Sequence, residues 1–65
     1  MKWRAQSAEK KELSGRIVRD DKVGFYLYIY DNARCVADYL EDTFDIAKET
    51  AEEVAGIPKG SWILE

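Results

Sequence analysis

Gly24-Phe25-Tyr26-Leu27-Tyr28-Ile29-Tyr30 is the stretch on which the fold turns. It carries no charge, and its aromatic and β-branched side chains favour extended backbone. Side chains alternate along a strand, so Phe25, Leu27 and Ile29 share one face while Tyr26, Tyr28 and Tyr30 share the other. The first set needs cover from water. The second carries hydroxyls and tolerates partial exposure.

Working outward, Gly15-Arg16-Ile17-Val18-Arg19 reads as a preceding strand, with β-branched residues between charged ends. Asp20-Asp21-Lys22 supplies the turn between the two. On the other side, Asp31-Asn32 is a turn signal and Arg34-Cys35-Val36-Ala37-Asp38-Tyr39-Leu40 a third strand. Three strands joined by short polar links predict an antiparallel meander. Thr43 to Ala55 follows as a helix, capped by Thr43 and favoured at its positive end by Asp42 and Asp45. Phe44, Ala47, Ala51, Val54 and Ala55 fall three and four apart, giving one apolar stripe to lie on the aliphatic sheet face. Gly56 ends the helix in a left-handed turn, Ile57 packs back over its last turn, and Pro58 prevents continuation. Ser61-Trp62-Ile63-Leu64 forms either a closing edge strand or a tail over the helix–sheet seam.

The expected fold is therefore α+β: a three-stranded antiparallel meander, one amphipathic helix on one face, and a short C-terminal strand or tail, in the order β-β-β-α-β. Residues 13–65 make a single domain. Residues 1–12 read as a flexible or weakly helical N-terminal arm, with Ser7 as a helix cap. Trp3 is the exception within it, because a tryptophan usually has a surface to pack on. The open tyrosine face offers one.

Composition narrows the chemistry. Among 65 residues there is one cysteine and no histidine. An internal disulfide and multi-cysteine zinc patterns are excluded, as is the usual general base. Cys35, placed in a strand, reads as a small buried hydrophobe. Asp38, Glu41, Asp42 and Asp45 form the densest run of carboxylates, but no glycine turns the segment into a calcium loop, and helix capping accounts for them. No phosphate loop or nucleophile elbow occurs. The expectation is a protein without catalytic activity, cofactor or metal. No apolar run approaches the ~20 residues of a membrane span, and the first residues do not read as a signal peptide. The expected location is the cytoplasm.

Charge is distributed unevenly. Residues 1–22 hold seven Lys or Arg against four acids, whereas residues 31–65 hold three against nine, within a net charge of −3. Three tyrosines in a row make a sizeable surface, joined by Trp3 or Trp62, with Arg16, Arg19, Arg34 and the N-terminal Lys and Arg available as a basic border. Tyr26, Tyr28, Tyr30, Arg16, Arg19 and Trp3 are thus the candidate interaction face. An aromatic sheet face can also stack single-stranded nucleic acid. A net acidic chain forfeits most of the electrostatic term behind such binding, so nucleic acid is the alternative reading. A protein partner or a second copy of the chain suits tyrosine and arginine better.

Asp42-Thr43-Phe44-Asp45-Ile46-Ala47-Lys48-Glu49-Thr50-Ala51-Glu52-Glu53 resembles the capped helix that follows the sheet in HicB-type antitoxin domains. The matching features are the Thr cap and alanines four apart. The Pro- and Gly-containing segment before that helix is absent here, with Tyr39-Leu40-Glu41 in its place. The resemblance implies a small acidic sheet-plus-helix unit that binds and neutralises a basic partner. An antitoxin- or immunity-like role is accordingly one form of the expected function.

Overall fold

The computed structural model describes residues 1–65. Five strands and one helix follow the order β1 (Lys2–Gln6), β2 (Leu13–Asp20), β3 (Gly24–Asp31), β4 (Arg34–Glu41), α1 (Phe44–Ala55) and β5 (Ile63–Leu64). A short 3-10 turn, Lys59–Ser61, precedes β5. The result is an α+β fold: a four-stranded antiparallel meander extended by a short fifth strand, in the sheet order β4-β3-β2-β1-β5. The expected three strands are β2, β3 and β4, and their order is as expected.

The N-terminal segment corrects the expectation of a flexible or weakly helical arm. Lys2–Gln6 pairs with β2 along its length and receives β5 on its other edge. Its alternation explains this: Trp3 and Ala5 turn inward while Lys2, Arg4 and Gln6 stay exposed. Ser7 does act as a local acceptor, its Oγ taking the Glu9 and Lys10 backbone N–H groups at 3.2 and 3.1 Å. No helix follows. The Ala8 N–H instead donates to the Gly56 carbonyl, docking the β1–β2 loop on the far end of α1.

The helix is bounded as its caps require. Thr43 is extended, and its Oγ1 accepts from the Ile46 N–H at 3.1 Å. Gly56 has φ 64°, a left-handed conformation that ends α1, and its N–H bonds back to the Glu52 carbonyl. A side chain there would also meet Glu9, whose carboxylate lies 2.7 Å from the position of a Cβ.

The core lies between α1 and one sheet face. Ile17, Leu27 and Ile29 from the sheet meet Ala47, Ala51 and Ala55 from the helix, and Ile57 closes over the last turn. Small helix residues let α1 approach closely. Gly15 serves the same end on β2, where a Cβ would stand 2.8 Å from both Ile57 and the Trp62 ring. Trp62 and β5 together fulfil both expectations for the last segment, one covering the seam and the other closing the sheet edge.

Val54 departs from its expected burial and is 47 % exposed. It stands about 60° around the helix from Ala51, whereas Ala47 and Ala55 stand only about 40° away. The close alanine contact covers a narrow stripe, and Val54 falls outside it. Thr50, on the same flank, donates to Glu41 of β4 at 2.7 Å, which fixes that flank toward the β4 edge. At the N-terminal end of the same stripe, Phe44 stacks on Trp3 with centroids 4.4 Å apart, and Phe25 completes the cluster at 5.8 Å from Phe44.

Candidate functional site

One helix covers one face of a sheet, so the other face stands open. The register sets its composition. On β3, Tyr26, Tyr28 and Tyr30 all point to it, each half-buried. Tyr26 and Tyr28 are stacked, with centroids 6.2 Å apart. Arg16 of β2 pairs with Tyr28, and Arg4 of β1 pairs with Arg16, so one row across the sheet reads Arg4, Arg16, Tyr28, Asp38. The neighbouring rows are Lys2, Val18, Tyr26, Leu40 and Gln6, Ser14, Tyr30, Cys35.

This arrangement retains four of the six candidate residues. Tyr26, Tyr28, Tyr30 and Arg16 lie together. Trp3 does not join them, because the alternation of β1 turns it to the helix side against Phe25 and Phe44. Arg19 does not either. It pairs with Phe25, shares the helix-side parity of Ile17, and lies 3.8 Å from Asp21. Cys35 is exposed beside Tyr30 rather than buried, since β4 is an edge strand whose pairing shifts between Ile29 and Tyr30. The carboxylate run is split: Asp38 faces the tyrosine side, while Glu41 faces the helix and accepts from Thr50.

Gln6 and Ser14 join this face unexpectedly, and Lys2 and Arg4, expected only as part of a basic border, hold fixed places in its rows. The period-two alternation of residues 2–6 carried the signal, in a run too short and too poor in β-branched residues to stand out.

At one end of the face the sheet and the last residues enclose a hollow of about 660 Å³, lined by Arg4, Gln6, Ser14, Arg16, Tyr30 and Ile63 among others. Two guanidinium groups directly opposite each other repel. Glu65 relieves this by a bidentate contact to Arg16, at 2.9 and 3.0 Å from Nη2, with Nε at 3.2 Å from the nearer oxygen. The hydrogen bond and charge of Glu65 raise the Arg16 guanidinium above its already high ordinary value. Arg4 makes no ion pair. The hollow therefore holds two positive charges and one negative.

The acids of α1 lie on the opposite side of the molecule, where Asp45, Glu49, Glu52 and Glu53 are exposed. No helix is long and apolar enough to cross a membrane. No protein-family model matches the chain, no curated protein matches it, and no solved structure matches it. The resemblance of Asp42–Glu53 to an antitoxin helix accordingly assigns no residue here.

Proposed function

We propose that this chain is a small non-catalytic interaction module that presents its uncovered sheet face to a protein. The observation that carries this reading is the alignment of Tyr26, Tyr28 and Tyr30 on the face that α1 leaves open, with Arg16 beside Tyr28 and Arg4 next in the same row. Tyrosine and arginine are the residue types that anchor protein interfaces, because each offers a large contact area with a polar end. The partner is a different protein or a second copy of the chain, and antitoxin- or immunity-like neutralisation is one form such binding can take.

A second reading has its own support. Arg16 beside Tyr28, and Lys2 and Arg4 one strand further out, put basic groups on the tyrosine face while the helix acids face away, which is the arrangement a single-stranded nucleic acid uses. Asp38 and Glu65 on the same face oppose it.

The two are separated by measuring, for the parent and Tyr28→Ala, the mass in solution, the proteins retained on the immobilised chain, and binding to a mixed-sequence oligonucleotide at several salt concentrations. Self-association or retention of a defined protein, lost in Tyr28→Ala and kept in the helix-face variant Glu53→Ala, is the expected result. Equal retention by Tyr28→Ala would sink the proposal. Oligonucleotide affinity that falls steeply with salt would replace it with the second reading.

A further inference from the structure

We infer that the hollow between Tyr30 and Ile63 is a carboxylate-binding site that takes an acidic side chain of an extended peptide, with Arg4 as its anchor. The inference rests on the protein-binding reading of the open face and names the chemistry of the bound segment.

Three observations lead to it. Arg4 and Arg16 are directly opposed across β1 and β2, and only one of them has a counter-charge. The one carboxylate already in the hollow, that of Glu65, meets its arginine in the two-toothed geometry that suits a planar carboxylate. Arg4 keeps a full guanidinium fork on an exposed strand position, available to one further carboxylate. The rest of the lining fits a peptide. Register places Ile63 beside Arg4 and Tyr30 beside Ser14, so apolar surface flanks the charge on both sides. Ser14 offers a hydroxyl, whereas the Gln6 amide is held by the Lys11 and Leu13 carbonyls and keeps its place. A residue such as Leu next to the bound acid would lie on Ile63 or Tyr30.

The charge balance also bears on what does not fit. A polyphosphate or nucleic-acid backbone would bring a run of negative charges onto a surface that carries Glu65 and Asp38. A single carboxylate adds one.

The test is a titration of the ¹⁵N-labelled full chain, following backbone amides and arginine Nε–Hε resonances. The probes are the blocked peptide acetyl-Leu-Glu-Leu-amide, its Gln counterpart, inorganic phosphate and a short thymidine oligonucleotide. The Glu peptide is expected to shift the Arg4 Nε–Hε, Ser14 and Tyr30 signals saturably, at least tenfold more tightly than the Gln peptide. Arg4→Gln should abolish the difference between the peptides while leaving the remaining spectrum folded. Glu65→Gln, by vacating Arg16, should strengthen Glu-peptide binding severalfold. Equal response to Glu and Gln peptides, or an undiminished response in Arg4→Gln, overturns the site. A tighter response to phosphate or to the oligonucleotide overturns its assignment to peptide. Failure here with Tyr28→Ala still losing a protein partner leaves the interaction face standing without this pocket. Loss of both removes the face itself.

Discussion

Trp3 stacks on Phe44 at an interplanar angle of 29°, tying the first strand to the first turn of the helix across 41 residues of chain. Phe25 joins them from the start of β3, and Lys48 lies 4.7 Å over the Phe44 ring. The N-terminal segment is thereby part of the core on one side and part of the open face on the other.

Trp3→Ala should consequently destabilise the whole domain, by about 2 kcal/mol or more, because it removes a half-buried aromatic and its stacking on Phe44. Denaturant unfolding followed by circular dichroism measures this. A loss under about 0.5 kcal/mol would show that β1 is dispensable to the core.

Removal of residues 1–6 tests the same element more severely. β1 stands between β2 and β5 and supplies the only strand that β5 pairs with. The truncated chain should lose its cooperative thermal transition. A cooperative melt with native-like amide dispersion in the truncated chain would contradict this.

Ala51 has no solvent exposure and lies at the centre of the helix–sheet contact. Ala51→Glu buries an unpaired charge where there is no room for the side chain, and should cost on the order of 3 kcal/mol or more. Val54→Glu, at an exposed position three residues on, should cost far less. Comparable melting temperatures for the two variants would overturn the helix orientation.

Gly56→Val combines two penalties that can be separated. The left-handed backbone costs a β-branched residue about 1–2 kcal/mol, and the contact with Glu9 adds to it. In a Glu9→Ala background the second penalty should disappear and the first remain. A double-mutant cycle with no coupling between the positions would show that the Glu9 contact yields freely.

Tyr28→Ala should weaken association at least tenfold while costing the fold under about 1 kcal/mol, since a half-buried tyrosine outside the core contributes mainly cross-strand contacts and an interface anchor contributes much. Mass in solution, partner affinity and melting temperature measured on this one variant decide it. Parallel losses in stability and binding would make Tyr28 a structural residue.

Strong local signals were readable in the sequence. The uncharged run Gly24–Tyr30 marked β3 and both of its faces, and Thr43 and Gly56 marked the ends of α1 through chemistry confined to a few neighbouring residues. Lys2–Gln6 was harder, because a five-residue strand of ordinary propensity is stabilised by its neighbours rather than by itself. Trp3 carried the hint, yet a tryptophan says only that it packs, and the choice of face depends on a register set by β2. Arg19 has the odd parity of Ile17, so alternation alone sets it on the face opposite Arg16. Val54 differs from expectation for another reason. Periodicity gives the direction of a side chain, while the width of the covered stripe depends on how closely helix and sheet approach. The hollow at Arg4 was not legible at all, since Glu65 and Arg16 meet across 49 positions of sequence.

Both tryptophans of the chain, Trp3 and Trp62, pack on the helix side of the sheet, and the tyrosines of β3 occupy the other. The open face therefore carries tyrosine alone, whereas the helix side carries both tryptophans together with Tyr39. Tryptophan emission will report the undocking of the helix and stay nearly silent when something settles on the open face. Tyrosine absorbance and emission, excited at short wavelength, will respond to that contact first. A binding experiment is therefore better followed through the tyrosines of β3 than through tryptophan excited directly at long wavelength.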